Sequence, residues 1–194
     1  MQRLPEGLKE KLCTWYDAGH RDLPWRQDRE PYHVWLSEIM LQQTRVEAVK
    51  GYYARFLTEL PTIAALADCP PDRLTKLWEG LGYYSRVRNL QKAAKIIMEE
   101  SGGVFPKTYD AVRALPGIGD YTAGAICSIC FDSPTPAVDG NVLRVLSRVM
   151  EDSASITAQK TKNACREALL PLYEAVPRGK LTQALMELGA VVCA

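Results

Sequence analysis

Apolar residues recur along almost the whole chain with the spacing of one face of an α-helix. The spacing is clearest at Val142, Val145, Leu146 and Val149, which follow the i, i+3, i+4, i+7 pattern. No segment shows a convincing strand-like alternation of apolar and polar residues. The pattern predicts an all-α protein of about ten short helices. The main predicted helices occupy the segments 31–41, 44–60, 69–80, 83–101, 108–115, 123–130, 140–149, 158–176 and 180–192.

Proline, glycine and capping residues mark the ends of several predicted helices. Pro31 suits a first helical turn, where an N–H group has no intrahelical partner. Thr44, followed three residues later by Glu47, has the pattern of a capping box. Gly102 is expected to close the long helix that precedes it. Asp139 is expected to cap the helix that follows it.

Length and composition are those of an ordinary helical protein. The 194 residues allow one large domain or two small lobes, and 47% of them are hydrophobic, which is enough to build a core. No membrane partner is expected, because the chain has no apolar run of membrane-spanning length and no signal-peptide pattern. The six cysteines follow no disulfide-like spacing, which favours a reducing, cytoplasmic compartment. A net charge of +1 is weak support for nucleic-acid binding but does not exclude a local basic face.

A glycine-rich turn in the stretch LPGIGDYTAG, residues 115–124, joins two predicted helices. Gly117 and Gly119 tolerate backbone angles that other residues avoid, and they leave N–H groups exposed beside a helix N-terminus. Such a group of amides attracts phosphate. A lone Gly-x-Gly is more often a plain turn, but the full string resembles the helix-hairpin-helix of DNA repair glycosylases. In those enzymes the main-chain amides of the hairpin hold the DNA backbone, which implies the same role for Gly117, Gly119 and Thr122.

Two carboxylates lie in unusual sequence contexts. Glu38 belongs to an otherwise apolar helix, so it is either an ordinary solvated residue or a buried acid with a raised pKa. Asp139 is either a simple helix cap or an anion kept ionised by the helix dipole. Together they suggest cleavage of a glycosidic bond, which needs an acid for the leaving group and an anion facing the positive sugar.

Six sequence blocks resemble the MutY adenine DNA glycosylases, in the same order and over essentially the whole chain. The blocks are LPWR, PYHVWLSEIMLQQT, LWEGLGYYSRVRNL, LPGIGDYTAGAI, AVDGNVLRVLSR and LTQALMELGAVVC. The resemblance implies the fold of the endonuclease III superfamily of helix-hairpin-helix glycosylases. It implies a six-helix barrel domain over residues 28–134, with the hairpin at 110–130, and a second helical domain formed by residues 1–27 and 135–194.

The same resemblance implies an activity and a set of site residues. The expected activity is base-excision repair by a monomeric, bacterial, nucleoid-associated hydrolase. It hydrolyses the N-glycosidic bond of adenine mispaired with 8-oxoguanine or guanine in double-stranded DNA. Glu38 would be the general acid and base, and Asp139 would stabilise the oxocarbenium ion, with hydrogen-bonding support from Tyr121 and Asn141. Residues implied to line the adenine pocket are Trp25, Arg26 and Gln183. Residues implied to wedge into or probe the base stack are Gln43, Leu81, Gly82 and Tyr83.

Tyr121 separates the two best enzymatic interpretations. Endonuclease III, a glycosylase and lyase for damaged pyrimidines, has a lysine at this position that attacks the sugar and permits strand cleavage. Tyrosine in its place argues for a glycosylase without efficient lyase chemistry. Some MutY proteins have a lysine where this chain has Leu143, and its absence points the same way.

The resemblance also implies a [4Fe–4S] cluster held by four cysteines with the spacing Cys-x6-Cys-x2-Cys-x5-Cys. Cys193 matches the first of these, and the printed sequence stops one residue later. Four thiolates are the usual requirement, so we expect the cluster in a full-length protein but not in these 194 residues. The MutY domain that recognises 8-oxoguanine is also missing from the sequence. We therefore expect this stretch to be part of a longer protein, and alone to bind DNA weakly and release little or no adenine.

Other interpretations remain open at this stage. The chain is alternatively an endonuclease III-type glycosylase and lyase, an inactive DNA-binding fragment, or a non-catalytic module that uses the hairpin alone. The Cys127-x-x-Cys130 pair resembles a redox or metal motif, but both residues fall on an apolar helical stripe, which favours core packing.

Overall fold

Within residues 3–193, which the computed structural model describes, every regular element is helical. The two short 3₁₀ helices in this range are Pro24–Arg26 and Leu170–Tyr173. The all-α prediction is therefore confirmed. The eleven α-helices of the described range are α1 (Leu8–Gly19), α2 (Pro31–Leu41), α3 (Val46–Glu59), α4 (Ile63–Asp68), α5 (Pro71–Leu77), α6 (Ser85–Ser101), α7 (Tyr109–Arg113), α8 (Asp120–Phe131), α9 (Gly140–Val149), α10 (Gln159–Leu169) and α11 (Arg178–Val191).

The chain divides into two compact units. One consists of residues 22–122, and the other combines the residues up to 21 with those from 123 onwards. The division falls inside α8, so the first turn of that helix belongs to the first unit. The six-helix barrel expected over residues 28–134 stays a prediction.

Helix α2 runs through the core of the 22–122 unit. Most of its residues are buried, including the adjacent Trp35 and Leu36, neither of which is exposed. A helix that is apolar on all sides is typical of a protein interior. Edge-to-face aromatic contacts surround it, with ring centroids 5.4 Å apart for Trp35 and Phe105. This packing holds the backbone of α2, and hence Glu38, in place.

In the second unit, α9 and α11 pack closely against each other. The apolar stripe of α9 at Val142, Val145 and Leu146 is buried in a shared core with residues of α1, α10 and α11. The two helices approach closely at Gly189, where an added Cβ atom would be 2.5 Å from Cβ of Asn141. Only a glycine in α11 permits this contact with the first turn of α9.

The predicted capping box at Thr44 and Glu47 is wrong. Helix α3 begins at Val46, and Arg45 precedes it as the N-cap without a side-chain hydrogen bond. The hydroxyl of Thr44 instead accepts from Arg86 Nη2 at 3.4 Å, and Glu47 pairs with a lysine one turn along its own helix. The local sequence predicts that Thr44 caps α3, but its hydroxyl contacts Arg86, a residue distant in sequence, instead.

Other predicted helix ends are confirmed, with some differences in extent. Pro31 occupies the first turn of α2, and Gly102 ends α6 with a φ of +58°. The segment predicted as one helix over 158–176 is divided near Pro171 into α10 and a 3₁₀ helix. Helices α1 and α4 were missed, although Leu8, Leu12 and other apolar residues of α1 recur at a four-residue spacing.

No helix among residues 3–193 is both long enough and apolar enough to cross a lipid bilayer.

Candidate active site

Helices α7 and α8 form the predicted hairpin, joined by residues 114–119. Gly117 has a φ of +81°, and a Cβ atom there would be 2.9 Å from Cβ of Asn89, so both conformation and space require glycine. Gly119 does not have a positive φ, and a Cβ atom added there would meet no atom within 4 Å. The expectation of a special conformation at Gly119 is therefore wrong. The side chains of Leu115 and Ile118 are buried, which fixes the turn against the protein interior.

The first-turn amides of α8 follow this turn. Such amides have no carbonyl partner within their own helix, and Gly117 and Gly119 beside them are exposed. Thr122 is only 3% exposed, so its hydroxyl is in the protein interior and only its main-chain amide remains a candidate donor to phosphate. The assignment of Gly117, Gly119 and Thr122 to a DNA backbone site stays a prediction.

Glu38 is buried on α2, with 7% of its surface exposed. The hydroxyl of Tyr121, in the first turn of α8, donates a hydrogen bond of 2.7 Å to Oε2 of Glu38. Both residues belong to the 22–122 unit. A carboxyl group is rarely removed from water without a partner, so the phenol compensates part of the cost of burial and restricts the side chain to one orientation.

Asp139 caps α9, as the sequence predicts. Its Oδ1 accepts the N–H of Val142 at 2.8 Å, and its Oδ2 accepts from Nδ2 of Asn141 at 2.9 Å. Burial raises the pKa of Asp139 above its usual range, while these hydrogen bonds and the charge of Arg144 act in the opposite direction. The surroundings therefore oppose ionisation by desolvation and favour it by donated hydrogen bonds.

Arg144 fixes the orientation of the Asn141 amide, a role that sequence reasoning missed. Its Nη2 donates to Oδ1 of Asn141 at 2.9 Å and to the carbonyl of Gly189 at 2.7 Å, and its Nε donates to the carbonyl of Cys193 at 2.5 Å. With Oδ1 held by the guanidinium, the amide NH₂ group of Asn141 faces Asp139. The sequence could have indicated this contact, because the arginine in VLRVLSR follows Asn141 by one helical turn and so lies on the same helix face.

The residues predicted to line the adenine pocket belong to both units of the chain. Trp25 is 7% exposed and meets the ring of Tyr53 edge-on, with centroids 5.5 Å apart, and Arg26 is half-buried. Gln183, in the other unit, is half-buried and accepts a 2.7 Å hydrogen bond from the hydroxyl of Tyr16. Their convergence on a base stays a prediction.

The residues predicted to wedge into the base stack lie in two loops with unusual backbone angles. Gln43 and Tyr83 have φ values of +58° and +46°, and both are exposed. Such angles are uncommon outside glycine and are concentrated at functional sites. Gly82 also has a positive φ, whereas the side chain of Leu81 is buried, which leaves Tyr83 as the exposed side chain of its loop.

The described residues do not fit a [4Fe–4S] cluster. Residues 3–193 contain no group of three or more cysteine, histidine or acidic side chains close enough to hold a metal ion. Sγ of Cys193 accepts from Nη1 of Arg148 at 2.8 Å. Cys127 is buried in the core, where desolvation raises its pKa to about 11. The presence of a cluster in a longer protein stays a prediction.

Comparison with known families decides the membership of this chain. Residues 36–171 match the HhH-GPD superfamily of base excision DNA repair proteins. The chain belongs to this superfamily. The match includes the hairpin, Glu38, Tyr121, Asp139 and Asn141.

Similar curated proteins are adenine DNA glycosylases. The protein from Rattus norvegicus is 45% identical over 96% of this chain and 38% of its own length. The protein from Homo sapiens is 45% identical over 96% of this chain and 36% of its own length. The protein from Buchnera aphidicola subsp. Baizongia pistaciae is 41% identical over 95% and 52%. The chain thus spans between about a third and a half of the length of these relatives.

Solved structures of two DNA repair proteins share the fold. A thermostable thymine-DNA glycosylase gives a TM-score of 0.80 at 25% identity, covering 96% of this chain and 86% of that one. A trapped covalent intermediate of endonuclease III with DNA gives a TM-score of 0.77 at 21% identity, covering 96% and 84%. The predicted helix-hairpin-helix glycosylase fold is confirmed.

Proposed function

We propose that this chain is the catalytic part of an adenine DNA glycosylase acting on double-stranded DNA. The reaction is hydrolysis of the N-glycosidic bond of adenine opposite 8-oxoguanine or guanine. The observation that carries the proposal is a pair of carboxyl groups in contrasting surroundings, Glu38 buried on an apolar helix and Asp139 at a helix N-terminus. The adenine DNA glycosylases at 38–45% identity support the choice of base.

In this proposal Glu38 is the general acid. It transfers a proton to N7 of adenine, which makes the base a better leaving group as the bond between N9 and the sugar carbon C1′ breaks. A buried carboxyl group is easier to keep protonated than an exposed one. The resulting carboxylate then accepts a proton from the water that attacks C1′. The hydrogen bond from Tyr121 supports a fixed direction for both proton transfers.

Asp139 stabilises the positive sugar in this proposal. Loss of the base leaves an oxocarbenium ion, and an adjacent carboxylate lowers its energy by direct charge interaction or by a transient bond to C1′. The N–H of Val142 and the amide of Asn141 donate to the carboxylate, and the N-terminus of α9 provides a positive dipole end. These donors favour the ionised form that the reaction needs.

The target adenine must leave the duplex before either carboxyl group can reach it. We assign the exposed Gln43 and Tyr83 to the space that the base vacates, and the hairpin amides to the DNA backbone. Backbone contacts of this kind position DNA without reading its sequence.

Tyr121 argues against the second candidate function, a glycosylase and lyase for damaged pyrimidines. A phenol cannot form a Schiff base with the sugar, and the hydroxyl of Tyr121 is engaged with Glu38. Leu143, where the resemblance to MutY implies a lysine in some members, is an apolar residue with 4% of its surface exposed. We therefore assign monofunctional hydrolysis to this chain.

The test is a single-turnover assay with the chain in excess over duplexes containing adenine opposite 8-oxoguanine or guanine. Alkali added afterwards reveals abasic sites, and borohydride traps any Schiff base. We expect at most slow adenine loss from these 194 residues, with strand breaks only after alkali and little trapped adduct. Duplexes with an A:T pair or a damaged pyrimidine serve as controls, and the full-length Homo sapiens relative is the positive control.

The outcome that contradicts the proposal is release of a damaged pyrimidine with strand breaks before alkali. Absence of binding to an A:G duplex at low salt also contradicts it. Because the chain lacks much of the length of its relatives, we expect weaker binding and a slower rate than for the positive control. Loss of phosphate contacts should make binding fall steeply as salt rises.

A further inference from the structure

Two exposed loops of the 22–122 unit carry residues with strained backbone angles. The loop of residues 42–45 follows α2 and contains Gln43, and the loop of residues 80–84 precedes α6 and contains Tyr83. Positive φ values at glutamine and tyrosine persist only where surrounding contacts enforce them. One side chain, that of Arg86, contacts both loops.

The guanidinium of Arg86 bridges the two loops. Nη1 donates to the carbonyls of Ile39, Met40 and Gln42 at 2.9, 3.1 and 2.5 Å. Nη2 donates to the carbonyls of Leu81 and Gly82 at 2.9 and 3.3 Å. Nη1 therefore holds the end of α2 and the first loop. Nη2 holds the second loop and also donates to the hydroxyl of Thr44 in the first loop at 3.4 Å.

Arg86 also lies against the exposed aromatic side chain of its loop. Its guanidinium carbon is 5.6 Å from the ring centroid of Tyr83 and 5.4 Å from that of Trp78, within the range of cation–π contacts. The indole N–H of Trp78 donates to the carbonyl of Gly82 at 3.1 Å, which ties the same loop down a second time.

Arg86 does not act as one half of an ion pair. Among the described residues 3–193 no carboxylate lies within ion-pair distance of its guanidinium, and its Nε is buried without a hydrogen-bond partner. Its charge instead faces the carbonyls at the C-terminal end of α2, where a cation is favourable. A half-buried charge that is surrounded by carbonyls of two loops contributes chiefly by fixing their geometry.

We propose that Arg86 is a positioning residue that couples the Gln43 and Tyr83 loops and presents them together to the base stack. The inference rests on the function proposed above and concerns base extrusion, not bond cleavage. The planar fork of arginine is essential, because the single ammonium of lysine has three donors and cannot reach both sets of carbonyls.

The first measurement needs no DNA. Hydrogen–deuterium exchange is followed in the segments 42–45 and 80–84 for the unaltered chain, Arg86→Lys and Arg86→Met. The matched control is Arg88→Met, which removes an exposed arginine from the same helix. We expect exchange in both segments to rise about tenfold in the two Arg86 variants and to stay unchanged in the control. A change in only one segment, or normal exchange in Arg86→Lys, would overturn the coupling.

The second measurement follows base extrusion. A duplex with 2-aminopurine in place of the target adenine fluoresces more strongly when that base leaves the stack. We expect Arg86→Lys to bind the duplex within about threefold of the unaltered chain but to give a smaller fluorescence rise. Adenine opposite an abasic-site analogue has no pairing partner and costs less to extrude, so it should recover most of the lost single-turnover rate. An equal loss of rate on paired and unpaired adenine would mean that Arg86 acts on the stability of the whole protein, and it would overturn the proposal.

A double-mutant cycle with Tyr83→Ala separates action through the loop from independent effects. If Arg86 acts through Tyr83, Arg86→Lys should reduce extrusion much less in the Tyr83→Ala background. Additive losses overturn the inference. If the unaltered chain neither binds an A:G duplex nor extrudes 2-aminopurine, the proposed function fails, whereas the exchange measurement still decides whether Arg86 couples the loops.

Discussion

Glu38 and Asp139 lie in two units of the chain that hold a carboxyl group in different ways. Glu38 is in the middle of a buried helix, where it accepts a hydrogen bond from the hydroxyl of Tyr121. Asp139 is at the beginning of a helix, where it accepts a main-chain N–H and a side-chain amide N–H. Glu38 is the more deeply buried of the two, whereas Asp139 combines partial burial with donors at a helix N-terminus.

In the function proposed above, this difference corresponds to opposite chemical roles for two similar side chains. An apolar setting favours the protonated form of a carboxyl group, whereas hydrogen-bond donors and a helix N-terminus favour the anion. The competition is visible at Asp139 itself, because burial raises its pKa while Asn141 and Val142 act to lower it. An acid and an anion are the two states that hydrolysis of a glycosidic bond requires.

The largest expected effect comes from removing the proton donor. Glu38→Gln preserves the shape of the side chain and the ability to accept from Tyr121, but the amide cannot deliver a proton. We expect the single-turnover rate of adenine release to fall by about 10²-fold or more, with DNA affinity retained. The control is Glu47→Gln on the exposed face of α3. A rate within about threefold of the unaltered chain would remove Glu38 from the mechanism.

Replacing the anion should have an effect of similar or slightly smaller size. Asparagine is as good a helix cap as aspartate, so Asp139→Asn removes the charge while an oxygen still accepts the N–H of Val142. We expect a rate loss of about 10²-fold with unchanged helix content by circular dichroism. Asp139→Ala should lose the cap as well, at about 1 kcal/mol of unfolding free energy. If the asparagine variant keeps its rate, Asp139 is only a cap.

A smaller effect, dependent on pH, is expected for Asn141→Ala. Its hydrogen bond lowers the pKa of Asp139, so its loss should raise that pKa further. The reaction requires the ionised form of Asp139. As the solution is acidified, the Asn141→Ala variant should therefore lose its rate at a higher pH than the unaltered chain does, and it should regain the rate as the pH rises. Single-turnover rates from about pH 5 to about pH 9 measure the shift of this acidic limb. Asn163→Ala, an exposed asparagine on α10, is the control, and an unshifted limb would contradict the role of Asn141.

The smallest expected effect on rate comes from the packing behind Asn141. In Gly189→Ala the new Cβ atom would lie 2.5 Å from Cβ of Asn141, so α9 and α11 must separate. We expect a loss of about 1–3 kcal/mol of unfolding free energy, measured with denaturant, and a modest rate loss. Gly51→Ala, in α3 with open space around it, should instead stabilise the protein by about 1 kcal/mol. Equal effects of the two substitutions would contradict the close packing.

Local sequence predicted those features whose cause is local. The apolar stripe of α9, the cap at Asp139, the proline at the start of α2 and the glycine end of α6 are all found in the structure. Each depends on residues within about one helical turn of each other, so their spacing along the chain is sufficient. The capping box at Thr44 failed because a residue distant in sequence, Arg86, contacts that threonine.

The sequence by itself determined the helical class, the hairpin and the identity of the two carboxyl groups, since these depend on residue type and periodicity. Tertiary structure decided what surrounds each carboxyl group. The contact of Glu38 with Tyr121 joins residues 83 positions apart, and that of Arg144 with Gly189 joins residues 45 positions apart. Sequence spacing carries no information about which distant side chains meet. Burial and hydrogen bonding by such partners set the protonation of an acid, and they become defined only when the helices pack.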